Sequence, residues 1–284
     1  MEFFFHTVFA DASCPYEDSD IIIFGVPYDG TTSYKAGARD APGAIRNISY
    51  NFETYLPRID VDLSNLPVCD LGNLEVECLP DLVIDQVERA VREIADDGKL
   101  PLMIGGEHSV TVGAVRALSP ECYIVCDAHL DLREEFGGSI YNHACVARRV
   151  LDLGVKEIFI IGARSGTVEE YDFAGSDPRI SIYSPEDIDV RGLDAVMDEI
   201  HERTSGKRTY LSIDADAIDC CLTPGLGTPE PFGLRPEDIR AVVDRFGPGC
   251  CGLDYVEVCP IDNGQTAAVA AKIIREFIGL KYKK

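Results

Sequence analysis

An apolar run that passes straight into Asp-x-His-x-Asp leaves a chain few options. Tyr123-Ile124-Val125 reads as a buried strand, and Cys126-Asp127-Ala128-His129-Leu130-Asp131 follows at its C-terminal end. If the backbone stays extended there, side chains at i, i+2 and i+4 point the same way, and Asp127, His129 and Asp131 converge. Carboxylates and an imidazole crowded together repel one another or stay poorly solvated unless a cation holds them. A divalent metal is the natural cation. For this stretch alone the plainer alternative is a strand-end Asp making a turn, with His as its hydrogen-bonded partner. Two further stretches argue against that. Thr209-Tyr210-Leu211-Ser212-Ile213 runs into Asp214 and Asp216, and Leu100-Pro101-Leu102-Met103-Ile104 runs into Gly105-Gly106-Glu107-His108-Ser109.

Strand patterns fall at residues 20–26, 67–71, 100–104, 123–127, 157–162, 180–183, 209–214 and 250–256. Helical patterns lie between them, at residues 41–48, 80–97, 109–118, 143–153, 187–203, 236–246 and 265–279. Such alternation predicts an α/β fold: a single-domain three-layer α/β/α arrangement around a mostly parallel sheet, spanning residues 1–284. Asp40 with Pro42 reads as a helix N-cap before a first-turn proline, and Gly98 as a helix stop. In an open parallel sheet the C-terminal strand ends face one crevice. That crevice would gather His108, Asp127, His129, Asp131, Asp214 and Asp216. The set is hard oxygen plus imidazole with no cysteine, which suits Mn²⁺ better than Zn²⁺ or an iron–sulfur centre. Six ligands are too many for one open catalytic metal. With bridging carboxylates they suit two ions roughly 3.5 Å apart around a shared water.

These residues resemble the ureohydrolases, the arginase and agmatinase family. The family pattern is Gly-Gly-(Asp/Glu)-His-Ser, then Asp-Ala-His-x-Asp, then Ser-x-Asp-x-Asp. All three occur here in order, at residues 105–109, 127–131 and 212–216. The likeness extends to Gly25-Val26-Pro27-Tyr28-Asp29, to residues 37–46, to Gly227-Thr228-Pro229-Glu230-Pro231 and to Leu253-Asp254-Tyr255-Val256-Glu257. It implies the fold shared by arginases and deacetylases. It also implies two Mn²⁺ per chain, one held by His108, Asp127, Asp131 and Asp214, the other by His129, Asp127, Asp214 and Asp216. Hydrolysis would proceed through a hydroxide bridging the metals and oriented by Asp131. Glu257 would receive the planar guanidinium by a bidentate pair. His143, a short loop past the first cluster, would carry a proton to the leaving amine as an imidazole titrating near neutrality. Glu230 has no role to transfer and reads as part of a rigid, proline-bounded loop.

The resemblance narrows the substrate to a small guanidine compound. Arginases place an Asn where Arg133 stands and an Asp where Thr167 stands, and neither anchor for arginine is present. The run Asp131-Leu132-Arg133-x-Glu135 looks like archaeal agmatinases, which implies cleavage of agmatine to putrescine and urea. Glu134 or Glu135 could meet the amine tail. Arg133 could instead greet a carboxylate, as in guanidinobutyrate or formimidoylglutamate, or pair with a neighbouring acid. Other members of the family (guanidinobutyrase, arginase, formimidoylglutamase) therefore remain alternatives. Outside it stand a zinc amide deacetylase, which needs only three protein ligands, and a non-catalytic polyamine-binding paralogue.

Composition sets the surroundings. A hydrophobic content of 46% supports a sizeable core. The net charge of −23 argues against a nucleic-acid partner, whose phosphates would be repelled. It could steer a cationic substrate, although acids spread along the whole chain also fit a salt-rich cytoplasm. No apolar run approaches a membrane span. Residues 1–6 carry no basic, apolar leader pattern. The eleven cysteines include the adjacent pairs Cys220-Cys221 and Cys250-Cys251, which are not metal-spaced, and they read as reduced thiols of a cytoplasmic protein. A homo-oligomer, trimer or hexamer, is implied by the family alone.

Overall fold

The computed structural model describes residues 7–283. The leader reading of residues 1–6 lies outside them. Eight parallel strands form the central sheet: β1 (Ile21–Gly25), β4 (Val68–Asn73), β5 (Leu100–Ile104), β6 (Cys122–Cys126), β7 (Glu157–Ile161), β8 (Ile180–Tyr183), β9 (Thr209–Asp214) and β10 (Leu253–Val256). Between β1 and β4 a small antiparallel pair, β2 (Tyr55–Leu56) and β3 (Val61–Asp62), stands apart from the sheet. The spatial order is β4-β1-β5-β10-β9-β6-β7-β8. Nine α-helices are seen among the described residues: α1 (Ala41–Ser49), α2 (Pro80–Asp96), α3 (Thr111–Leu118), α4 (Val146–Asp152), α5 (Val168–Ser176), α6 (Pro185–Arg191), α7 (Leu193–Thr204), α8 (Pro236–Phe246) and α9 (Gln265–Lys281).

Alternate residues of each strand feed two separate cores. Ile21 and Ile23 enter one, with Ile124, Leu211 and the apolar stripe of α9. Ile22 and Phe24 enter the other, with Tyr123, Val125 and the apolar stripe of α2. A sheet buried on both faces needs continuous apolar strands, which is why they read so clearly. The topology then sets the site. The chain leaves β5, crosses to β6 on the far side, and only later fills the gap with β9 and β10. The four central strands, β5-β10-β9-β6, are the four whose ends carry the acids and histidines.

Several boundaries differ from the sequence reading. The helix read at 187–203 is two helices, because Gly192 turns with φ +84° between α6 and α7. Helices read from 109 and 143 begin instead as 3₁₀ turns, at His108–Val110 and His143–Cys145. Asp40 does occupy the position before α1, but its side chain makes no capping bond. Gly98 takes φ +74° after α2, as a helix stop requires. Helix α5 falls outside the helical patterns of the sequence. It opens with a capping box in which Thr167 and Glu170 serve each other's backbone N–H groups.

Candidate metal centre and substrate pocket

The three motifs meet, but not through an extended β6. That strand ends at Cys126, and Asp131 sits in a left-handed backbone conformation with φ +50°. Asp127 instead folds back so that its Oδ1 accepts the His129 N–H at 2.6 Å. Asp214 likewise accepts the Asp216 N–H at 2.8 Å. Each motif thus closes on itself in a tight turn, and the turns bring its carboxylates together.

Two overlapping groups result. His108 Nδ1 lies 3.1 Å from Asp127 Oδ2, 3.4 Å from Asp131 Oδ2 and 3.1 Å from Asp214 Oδ2. His129 Nδ1 lies 3.0 Å from Asp216 Oδ2 and 3.6 Å from Asp127 Oδ1. Asp127 faces both histidines, one with each oxygen. His108, Asp127, Asp131, Asp214 and Asp216 are buried, and His129 is half-buried. His108 Nδ1 is a buried nitrogen with no hydrogen-bond partner although three carboxylates surround it. A buried nitrogen ringed by acids fits a cation, and the donor set of imidazole and carboxylate fits hard divalent ions.

The electrostatics of the ion-free site say the same. Burial, then the charge of Asp127, push the Asp131 carboxyl up to about 7. Burial and the neighbouring acids raise Asp214 well above the carboxylate range. Burial works against charging His108, yet its surroundings, Tyr123 and the three carboxylates, raise its pKa. His129 is raised in the same way, chiefly by Asp216. Protons are held where positive charge is wanted.

The other nitrogen of His108 is held from behind. Ser212 Oγ donates to Asp254 at 2.5 Å and sits 3.1 Å from His108 Nε2. Asp254 is fully buried and also accepts from Thr111 and Tyr210 at 2.9 and 2.7 Å. Glu257 follows β10 with φ +61°, and its Oε1 accepts the His108 N–H at 2.6 Å. Burial, then Glu107, push its carboxyl up to about 8. Gly106, just before this turn, packs on the Tyr28 backbone: a Cβ there would lie 1.9 Å from the Tyr28 carbonyl oxygen.

A pocket of about 260 Å³ opens beside the centre. Ser33, His129, Asp131, Arg133, Phe136, His143, Thr167, Glu170 and Thr228 contribute to its wall. His143 stands edge-on to Phe136. Burial, then the charge of His129, push it down to about 4, so the expectation of an imidazole titrating near neutrality is corrected. Arg133 does pair with an acid: its Nε lies 3.5 Å from Glu170 Oε2 while its guanidinium covers Phe136. Glu134 is exposed and paired with Arg148, and Glu135 is exposed; neither lines the pocket.

Two acids were missed from sequence. Glu170 is buried, and its Oε1 accepts the Leu132 N–H at 3.0 Å. The Thr167-x-x-Glu170 capping pattern could have found it. Glu230 places Oε1 at 3.8 Å from His129 Nε2. Its loop is tied down by Arg164, which donates to the carbonyls of Glu230 and Pro231 at 2.9 Å each. Nothing in the local sequence signals that reach.

These observations define an α/β metalloprotein with two adjacent cation positions that share a carboxylate. A family model described as the arginase family matches residues 19–279, and the chain belongs to that family. It is similar to the N(1)-aminopropylagmatine ureohydrolase of Thermococcus kodakarensis, with 42% identity over 94% of this chain and 92% of the relative. It is also similar to the agmatinase of Pyrococcus horikoshii, with 39% identity over 93% of each. The crystal structure of the agmatine ureohydrolase of Thermoplasma volcanium superposes with a TM-score of 0.93, at 41% identity, covering 99% of this chain and 96% of that one. The chain is thus an agmatinase-like ureohydrolase.

Proposed function

We propose that the chain cleaves agmatine, or a guanidine of the same cationic-tailed kind, to urea and the free amine. The observation that carries this reading is Glu170: a buried carboxylate in the pocket wall that is not one of the acids facing the two histidines. It pairs with Arg133, whose guanidinium leans on Phe136. An ammonium tail entering this pocket would meet Glu170, whereas a carboxylate tail would have to draw Arg133 away from it.

The chemistry divides among the residues. His108, Asp127, Asp131 and Asp214 would hold one divalent ion, and His129, Asp127, Asp214 and Asp216 the other; Mn²⁺ is the ion the donor set favours. When bound, such a pair supplies a water of lowered pKa and offsets charge growing at the guanidine carbon. Glu257 receives the guanidinium. An unpaired Glu257 resists ionisation, so the incoming cation and the carboxylate stabilise each other. Asp131 orients the attacking water. His143, neutral at neutral pH, takes up the proton that this water gives off and delivers it to the leaving nitrogen. The eleven free cysteines favour a cytoplasmic setting. A small-molecule guanidine is the partner proposed, with homo-oligomeric assembly as a trimer or hexamer.

A second reading, N(1)-aminopropylagmatine as substrate, is favoured by the Thermococcus relative. A urea-release screen of the Mn²⁺-loaded protein separates them. Agmatine, N(1)-aminopropylagmatine, arginine and 4-guanidinobutyrate are compared on the wild type and on Arg133→Ala, with formimidoylglutamate followed by formamide release, since it yields no urea. Agmatine should exceed arginine by at least about 10²-fold in kcat/KM, since both arginase-type anchors are missing and each unmatched buried charge costs roughly 10–200-fold. If 4-guanidinobutyrate leads on the wild type and loses that lead in Arg133→Ala, Arg133 is a carboxylate anchor and the cationic-tail reading is wrong.

A further inference from the structure

His143 is gripped by a loop that no metal motif contains. Thr31 and Ser33 lie in the segment after β1, and their hydroxyls reach the two nitrogens of this ring. Thr31 Oγ1 is 3.2 Å from His143 Nδ1, and Ser33 Oγ is 3.3 Å from His143 Nε2. Thr31 is itself bound tightly to Glu107. Its N–H donates to Glu107 Oε2 at 2.7 Å, and its hydroxyl donates to Oε1 at 2.6 Å. Ser109 Oγ donates to the same Oε1 at 2.5 Å.

With Glu107 ionised and accepting, counting protons gives the direction of each bond. A hydroxyl has one hydrogen and two lone pairs. Thr31 gives its one hydrogen to Glu107. One lone pair accepts the backbone N–H of His143 at 3.1 Å. Only the second lone pair is left for Nδ1, so Nδ1 must carry the hydrogen. We infer that Thr31, held by Glu107, is a positioning residue that locks His143 as the Nδ1–H tautomer, leaving Nε2 as the atom that takes and gives the proton. Nδ1 keeps its hydrogen throughout the cycle. The attacking water's oxygen joins the guanidine carbon, its proton goes to Nε2, and Nε2 passes that proton to the nitrogen whose bond to carbon breaks. Ser33 Oγ faces Nε2 from the pocket wall and accepts from it when the ring is charged. The wrong tautomer would present an N–H to the water instead of a lone pair, and would have no hydrogen on Nδ1 to satisfy Thr31.

This inference rests on the proton-shuttle reading of His143, and the test separates the two. The chain has only five histidines, so solid-state ¹⁵N spectra of histidine-labelled, Zn²⁺-loaded protein are tractable, with His143→Gln assigning the resonance. At neutral pH the wild-type ring should show a protonated Nδ1 and a bare Nε2. Thr31→Val, which keeps the shape and removes the hydroxyl, should lose that pattern. With Mn²⁺ bound it should also lower kcat by about 10–100-fold, the usual cost of removing an orienting partner, with KM little changed. Thr31→Ser should restore both the spectrum and most of kcat, which a purely steric role of the side chain would not predict. An Nε2–H tautomer in the wild type overturns the inference, as does an unchanged tautomer in Thr31→Val. If instead His143→Ala keeps full kcat, the shuttle reading falls, while the spectra still decide whether Thr31 sets the tautomer.

Discussion

Glu230 Oε1 stands 3.8 Å from His129 Nε2, while Asp216 Oδ2 stands 3.0 Å from Nδ1 of the same ring. One nitrogen faces the cation position and the other faces a carboxylate. A carboxylate near the non-ligating nitrogen, here beyond hydrogen-bond distance, raises the ring's basicity as a ligand through its charge. Glu230→Gln should therefore weaken retention of one ion by about 10–100-fold. Competition against a chelator, followed by elemental analysis, reads this directly. Unchanged retention of both ions would show that Glu230 only closes its loop.

Asp127 faces both histidines. Asp127→Ala should thus cost both ions, and Asp216→Ala should mainly weaken the one beside His129. The check is metal content per chain after Mn²⁺ loading and gel filtration. One zinc per chain in the wild type would contradict the two-ion arrangement.

The ion-free site should titrate in an unusual direction. Asp131 is pushed from 3.8 to about 7 by burial and by Asp127. Between those values the folded chain keeps a proton that the unfolded chain has lost. Its contribution to stability is therefore present at low pH and is lost as pH rises through that window. A cation needs the carboxylate and must displace that proton. Mn²⁺ binding should release more protons at about pH 6 than at about pH 8, and Asp131→Asn should remove most of the difference. Calorimetry in buffers of different ionisation enthalpy counts them. Equal release at both values would contradict the raised pKa.

His143→Ala should leave metal content intact and slow kcat by roughly 10²–10⁴-fold, the range for a general acid–base group. Because burial holds this imidazole down to about 4, the wild-type rate should not fall as pH rises through the ordinary histidine range near 6.5. A rate that does fall there would mean the group must start protonated.

The legible parts of this site were those carried by strands. His108, the Asp127–Asp131 turn and Asp214–Asp216 each follow an apolar run, and in a parallel sheet such ends share a crevice. What was illegible depends on loops that meet only in space. Thr31 reaches Glu107 and His143 across 76 and 112 residues of chain. Glu230 reaches His129 only because Arg164 ties its loop down, and no local pattern encodes that. Glu170 lies three residues beyond Thr167, the position where arginases carry an acid, on a helix that opens with a capping box. The backbone does not stay extended through residues 127–131, because Asp127, like Asp214 in the other motif, bonds the amide two residues on and bends the chain. Side chains converge by turning rather than by alternation.

Asp131 and Glu257 both hold left-handed backbone angles, φ +50° and +61°. Such a conformation disfavours an L-residue by roughly 1–2 kcal/mol, less for Asp than for Glu. Both positions also bury a carboxyl that resists ionisation. The chain thus spends conformational stability at the two places where substrate chemistry is prepared. Directed evolution for heat tolerance of the ion-free protein, run without any demand for turnover, should converge on glycine at 131 and 257. The survivors would be tougher and inert.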